Sequence, residues 1–204
     1  MPSKSRLFAA VYDRVTASAE RSVFPRWRAF AAGEAKGRIL EIGAGTGANL
    51  SYYPKGAQLT VIEPNPHMMK RLKAKAESLG ISVSFIDQAA ERLPFPDGSF
   101  DTVIATLVLC SVDYPAHSLS EIARVLTKGG ELRFMEHVRS VSGWRRFQDF
   151  SMPFWKTLAG GCHPNRDSVA AIKATGLEVV DLRPFSFGPY PVRPHVAGVA
   201  KKTS

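Results

Sequence analysis

The chain has 204 residues, 45% hydrophobic and 22% charged, close to the average of soluble domains, so a buried core is available and wholesale disorder is excluded. Its formal net charge is +9, yet residues 33–136 are nearly balanced, with eleven basic and twelve acidic side chains, so the excess lies in the two flanks. The longest apolar stretch, around Thr102 to Val112, falls well short of the roughly 20 residues that span a bilayer, and the opening residues lack the apolar run of a secretory signal; an integral membrane protein is not expected. Two cysteines, Cys110 and Cys162, cannot build a disulfide scaffold and lack the paired spacing of a zinc motif. A reducing, cytoplasmic setting without a metal is therefore the expectation. If the basic flanks meet, they form a positive face suited to an acidic substrate or to peripheral contact with the inner face of an anionic membrane, the alternative being a solubilising surface. Nucleic acid is not expected as a partner, because basic runs interleaved with aromatics are missing.

Residues 6–31 read as helical: Phe8, Val11, Tyr12 and Val15, then Val23, Trp27 and Phe30, recur at helical spacing, while Arg6, Arg14, Arg21 and Arg28 interrupt on other faces. Pro25 breaks the run into two helices. This segment, residues 1–36, is expected to lid its own domain, the alternative being a basic amphipathic helix on a membrane. From Gly37 strand and helix alternate. Arg38–Ile42 is a strand, followed by a glycine loop and a helix from about Gly47; Leu59–Glu63 is the next strand. Asn65 caps a helix with Pro66 in its first turn that runs to Leu79, before Gly80. Val83–Ile86, Thr102–Leu107 and Glu131–Glu136 are further strands, and between the last two lies a helix from Pro115 to Leu126, stopped by Lys128-Gly129-Gly130. Asn165 caps a last helix to about Thr175, and Leu177–Leu182 and Val196–Ala200 close the chain as an antiparallel edge hairpin. Such alternation predicts an α/β three-layer sandwich on a mostly parallel seven-stranded sheet, within a single domain.

The first chemistry lies in Ile39-Leu-Glu-Ile-Gly-Ala-Gly-Thr-Gly-Ala-Asn-Leu50. Gly43, Gly45 and Gly47 follow a strand, where the chain must turn sharply and let a ligand approach bare backbone. A dinucleotide fingerprint places its last glycine three residues after the second; here the gap is two. Glu41, just before the loop, would repel a pyrophosphate and suits a ligand carrying a positive amine and sulfonium. Glu63 lies twenty residues beyond Gly43 at the tip of the next strand, where a carboxylate can accept bonds from both ribose hydroxyls.

With these residues the sequence resembles the class I S-adenosylmethionine-dependent methyltransferases, whose fold is Rossmann-like. Ala90-Glu91-Arg92-Leu93-Pro94-Phe95-Pro96-Asp97-Gly98-Ser99-Phe100-Asp101 is similar to the family's segment that passes the adenine, and Leu126-Thr127-Lys128-Gly129-Gly130 to the turn before its fifth strand. Ala89 stands where many relatives place an aspartate, leaving the backbone at Ala90 to hold the ring edge. The resemblance implies S-adenosylmethionine as cofactor and S-adenosylhomocysteine as product, with residues 37–137 as the binding core. It assigns cofactor contacts to Glu41, Gly43, Ala44, Gly45, Gly47, Asn49, Glu63, Pro64, Ala90, Glu91, Thr106 and Leu107. Longer shared strings, among them Thr106-Leu107-Val108-Leu109-Cys110-Ser111-Val112, Glu136-His137-Val138, Gly161-Cys162 and Val192-Arg193-Pro194-His195, resemble the methyltransferase-like group that includes the alkyl-thiol methyltransferases.

Methyl transfer needs an acceptor aligned with the methyl–sulfur axis and water kept out, and a thiol, already a few per cent thiolate at neutrality, asks for little base catalysis. A small-molecule acceptor is expected beyond the carboxyl ends of the strands, against Tyr12, Cys110 and Glu136, with residues 138–204 supplying substrate-side helices and closing strands. His137 and His163 are the candidate proton carriers. Cys162 beside His163 evokes a nucleophilic pair, although methyl transfer requires no covalent intermediate. The alternative acceptor is a phospholipid amine of the phosphatidylethanolamine type, reached from a membrane surface. A non-catalytic cofactor-binding protein is a further alternative.

Overall fold

In the computed structural model residues 6–189 and 191–203 are described, except for the side chains of 6–11, 15 and 158. Phe8, Val11 and Val15, expected on the apolar face of the first helix, fall among those side chains. The chain opens with α1 (Arg6–Ser22) and α2 (Phe24–Ala32), Pro25 lying in the first turn of α2, where a missing N–H costs nothing. Five parallel strands follow: β1 (Arg38–Ile42), β2 (Gln58–Ile62), β3 (Val83–Ile86), β4 (Phe100–Thr106) and β5 (Leu126–His137). Between them run α3 (Pro66–Leu79) and α4 (Pro115–Val125). α5 (Arg145–Leu158), α6 (Ser168–Ala174), β6 (Glu178–Ser186) and β7 (Pro194–Lys201) complete the domain. Among the described residues no helix is long and apolar enough to cross a membrane.

The seven strands lie in the order β3-β2-β1-β4-β5-β7-β6. β1 pairs in parallel with both β2 and β4, so the order reverses between β1 and β4 and a crevice forms at their carboxyl ends. β7 inserts between β5 and β6, antiparallel to both, so of the closing pair only β6 is an edge strand. The two-residue strand period sorts side chains between the faces. Leu40, Ile42, Val103, Ala105, Leu132 and Phe134 pack with Leu119 and Ile122 of α4 and Ile172 of α6. Ile39, Leu59, Val61 and Ile104 face Met69, Leu72 and Ala76 of α3. Met135, Ala197 and Val199 lie under Phe24, Trp27 and Phe30 of α2.

Several expectations are corrected. After Gly47 there is no α-helix but one 3-10 turn, Leu50–Tyr52, because only a few residues separate Gly47, at φ +83°, from Pro54. The segment Lys128-Gly129-Gly130 does not stand outside the sheet: β5 begins at Leu126, and the Gly129 N–H donates to the Lys202 carbonyl. Asp167, not Asn165, caps α6 by accepting from the Ala170 N–H; the Asn165 amide donates to Asp149 instead. The substrate-side region also holds α5, to which the sequence reading assigns no bounds and which continues through Pro153. Its buried Gln148 compensates by bonding the main chain at Ser140, Val138, Pro164 and Pro191.

Candidate active site

The glycine loop leaves β1 at the crevice, and its three glycines have different duties. A Cβ on Gly43 would drive into Val108, and one on Gly47 would meet Leu50 and Leu72 at 2.8 Å, so these two let protein pack closely. A Cβ on Gly45 would find nothing nearer than the Gly43 carbonyl at 4.0 Å, so this face opens on space that a ligand can fill. Gly45 also has φ +59°, a region that favours glycine. Its N–H donates to Glu63 at 2.8 Å, and the other Glu63 oxygen accepts from the Asn65 N–H at 2.8 Å. Each of these oxygens keeps a lone pair for a further donor. Burial pushes the Glu63 carboxyl upward, opposed by the two N–H bonds. A nucleoside with hydroxyl donors and a cationic sulfur therefore fits the bare Gly45 face beside the Glu63 carboxyl. Pro64 follows half-buried, while Ala44 is turned into the core with its N–H on the Ile62 carbonyl.

Beneath the loop lies a buried polar network that strand alternation directs at α2. The Arg28 guanidinium, 3% exposed, donates to both Glu20 oxygens at 2.7 and 2.6 Å and to Asn49 Oδ1 at 2.7 Å, with Thr106 Oγ1 at 3.4 Å. Asn49 Nδ2 in turn donates to Glu41 and Thr106, and the Tyr53 hydroxyl donates to the second Glu41 oxygen. Glu41 is thus 2% exposed with a protein donor on each oxygen, rather than presented to a ligand as expected. Burial raises its pKa to about 7 despite those two donors and the Arg28 charge. Above the loop, Asp13 of α1 accepts from the Thr46 hydroxyl at 2.6 Å and pairs with Arg71 of α3, so α1 crosses the crevice. Sequence reasoning missed Arg28, placing it off the apolar face; four residues after Phe24 and before Ala32, it lies on the buried one.

On the acceptor side the chain leaves β4 through Leu107, a non-glycine residue at φ +55°. Glu136, fully buried, holds this turn: its carboxylate accepts from the Val108 and Leu109 N–H groups at 2.9 Å and from that of Cys110 at 3.3 Å. Expected to touch substrate, Glu136 is instead a positioning residue for the loop. Ala90 belongs to the core, and Glu91 accepts from the Asp113 and Tyr114 N–H groups at the start of α4. Tyr12 is half-buried on α1, its phenol pushed up to about 12 by burial. His137 ends β5 half-buried, with Nδ1 3.6 Å from Cys110 Sγ and 3.5 Å from Cys162 Sγ. The sequence pairs Cys162 with His163; in the fold the ring at its sulfur is that of His137. The His163 N–H donates to the Cys110 carbonyl at 2.7 Å, and burial lowers its ring pKa. His67 is exposed, and Met68 and Met69 are core. Two open clefts of about 570 and 740 Å³ lie at the opposite ends of the strands, around Asp101, so volume alone does not mark this site.

Residues 40–134 match the family model described as a methyltransferase domain. The human thiol S-methyltransferase TMT1A is 39% identical over 204 residues, spanning 96% of this chain and 83% of that protein. The chain belongs to the S-adenosylmethionine-dependent methyltransferase family. A second relative, the phosphatidylethanolamine N-methyltransferase of Cereibacter sphaeroides, is 34% identical over 183 residues, 88% of each chain. The structure of geranyl diphosphate C-methyltransferase from Streptomyces coelicolor superposes with a TM-score of 0.68 at 13% identity, covering 94% of this chain and 83% of that one, and so shares the fold. S-adenosylmethionine is the methyltransferase's cofactor, and the Rossmann-like sheet with its antiparallel closing strands is the family's architecture.

Proposed function

We propose that this methyltransferase methylates the sulfur of a small thiol. The observation that carries the reading is kinship with a human thiol S-methyltransferase along 96% of the chain. The geometry favours it over an amine. Two carboxylates beside the crevice are already engaged: Glu136 holds three backbone N–H groups, and Glu41 is sealed under the loop. A thiol, with a pKa of about 8.5, asks for positive charge rather than a strong base. Arg166 supplies that charge, its guanidinium 2.7 and 2.8 Å from the Leu109 and Val112 carbonyls on either side of Cys110.

When bound, S-adenosylmethionine supplies a methyl group already activated on a sulfonium. The residues here would bind and orient. The 43–47 main chain and Glu63 hold the nucleoside, α1 closes over them through Asp13, and Tyr12, the 107–110 turn and His137 line the acceptor side. Fixing two reactants in this way can supply roughly 7–11 kcal/mol of barrier reduction. The test is incubation with cofactor and a panel of alkyl and aryl thiols, read by mass spectrometry for thioether and S-adenosylhomocysteine. Both should accumulate in equal amounts; a panel that yields neither rejects the reading.

One surface supports a second acceptor, the amine headgroup of a phospholipid. On α5, Phe147, Phe150 and Phe154 stand at i, i+3 and i+7 with exposures of 42, 75 and 70%, and Trp144 precedes them at 48%. Arg146 lies beside this stripe, and Arg145 and Lys156 are exposed near the two ends of the helix, so aromatic and basic surface share one element that suits an anionic bilayer. Flotation with phosphatidylcholine vesicles containing phosphatidylglycerol should carry the parent and leave Phe150→Ser with Phe154→Ser behind. Parent binding that ignores lipid charge and salt, with no methylation of phosphatidylethanolamine vesicles, sinks this alternative.

A further inference from the structure

Cys110, His137 and Cys162 come from the turn after β4, the end of β5 and the turn after α5, and their sulfur and imidazole donor atoms all lie within 4.8 Å of one another. Two features set this apart from chance packing. The sulfur-to-Nδ1 distances are 3.6 and 3.5 Å. Zinc bonds of about 2.3 Å to sulfur and about 2.0 Å to nitrogen, at a tetrahedral angle, place the two donor atoms about 3.5 Å apart. The two sulfur–nitrogen separations already match two edges of that tetrahedron. Both cysteines are buried and free, while His137 is half-buried and gives the cluster its side toward solvent.

The surroundings hold these groups in place. Glu136 pins the Cys110 N–H, and the Cys110 carbonyl accepts from the His163 N–H. Gly160 and Gly161, at φ +62° and +96°, turn the chain sharply before Cys162. His137 and His195 are a cross-strand pair with ring centroids 4.5 Å apart. His195 Nδ1 lies 3.0 Å from the Arg193 carbonyl and so carries the proton, which leaves a lone pair on its buried, unpartnered Nε2. This ring packs beside His137 without bonding it. The cluster also adjoins the cofactor crevice, because Val108, two residues before Cys110, packs directly on Gly43.

We propose that Cys110, His137 and Cys162 bind a soft divalent cation of the zinc class, whose fourth position takes the acceptor thiol. Three protein ligands and one open position are the arrangement of catalytic rather than structural zinc, and thiolate with imidazole selects such a metal. Coordination exchanges the S–H bond of the incoming thiol for a sulfur–metal bond and releases the proton to water, the metal remaining divalent. Arg166 beside Cys110 offsets the negative charge that a third thiolate brings. A thioether, neutral and a weaker ligand, would leave the position free again. The role of the fourth position rests on the thiol reading above; the metal site itself does not.

The test uses the full chain, stripped with a chelator, kept reduced with a phosphine and titrated with Co²⁺ alone. One equivalent should bind with the visible absorption of a tetrahedral thiolate site, Zn²⁺ should abolish it, and ethanethiol should shift it. Cys162→Ser, with Cys162→Ala as the apolar alternative, should lose the absorption while melting as the parent does without metal. No saturable binding, or the same spectrum in both variants, overturns the proposal, and a spectrum indifferent to ethanethiol overturns the fourth-position role. If metal-free protein methylates thiols at the undiminished rate, the catalytic metal is refuted and the thiol reading stands. If the cobalt site forms and responds to ethanethiol but no thiol is methylated, the metal site is supported and the thiol reading fails.

Discussion

Replacing Arg28 by methionine should uncouple α1 from the cofactor crevice. The guanidinium joins Glu20 of α1, Asn49 of the glycine segment and Thr106 of β4. Its removal leaves the fully buried Asn49 Oδ1 without that donor, at about 1–3 kcal/mol. The lost pair with Glu20, whose side chain is 25% exposed and partly rehydrates, adds about 1–2 kcal/mol after discounting for solvent. Methionine fills most of the volume and no longer requires a buried charge, so the net cost is about 2–4 kcal/mol, or about 4–16 °C in Tm for a chain of this size. Cofactor affinity should fall about tenfold or more, near 1.4 kcal/mol, as α1 loosens over Thr46. Arg28→Lys keeps the charge but loses the planar fork whose separate nitrogens reach Glu20 and Asn49, and should fall between the two. Urea unfolding followed by tryptophan fluorescence gives the stability, and calorimetry the affinity. A methionine variant within about 0.5 kcal/mol of the parent, a typical surface effect, would refute this account of the network.

Glu63→Ala should weaken cofactor binding by about 1.5–3 kcal/mol, the worth of charge-assisted bonds, and calorimetry showing parent affinity would displace the cofactor from this crevice. Gly45→Ala should fold with only the left-handed backbone penalty of about 1–2 kcal/mol yet lose cofactor, whereas Gly43→Ala and Gly47→Ala should lose folding stability first; melts and titrations of the three variants separate the two duties. Glu136→Gln keeps the bonds to Val108 and Leu109 but sets an amide N–H against the Cys110 N–H, so urea unfolding should show a loss of about 1–3 kcal/mol. Unchanged stability with a raised acceptor KM would instead put this side chain against substrate. Glu41, raised from 4.5 to about 7, holds a proton in the folded state that the unfolded chain has released, so its contribution is present below about 4.5 and lost as pH rises toward 7. Glu41→Gln should therefore gain on the parent by up to about 1.4 kcal/mol per pH unit across that window, and parallel stability curves would contradict the assignment.

Local signals made most of the fold legible. Asn65, Pro66 and Gly80 mark both ends of α3 within the element itself, the Asn65 side chain accepting from the His67 and Met68 N–H groups and Gly80 adopting φ +64°. Strands β1 and β3 are runs with turn residues on both sides. Failures came where a distant contact overrode the local cue. Pro153 reads as a breaker, but α5 persists because Gln148 ties it to four main-chain groups. Lys128-Gly129-Gly130 reads as a turn, but β7 and the Lys202 carbonyl draw it into the sheet.

The candidate site divides the same way. Gly45 and Glu63 lie in one strand–loop–strand unit, so a spacing in the sequence brought them within 2.8 Å. Arg28 reaches Thr106 across 78 positions; its spacing from Phe24 and Ala32 marks the buried face, but only the fold brings Asn49 and Thr106 to it. Cys110 and Cys162 lack zinc spacing because a metal motif written along one segment is only one way to gather ligands. Here the turn after β4, the end of β5 and the turn after α5 do it instead, placing His137 opposite His195 and within 3.6 Å of both sulfurs. Glu136 shows the consequence for reading sites from sequence: a carboxylate beside a candidate histidine at a strand end invites a chemical role. Three N–H groups converging on it, with Leu107 forced to positive φ, show that it shapes the loop on which that chemistry depends.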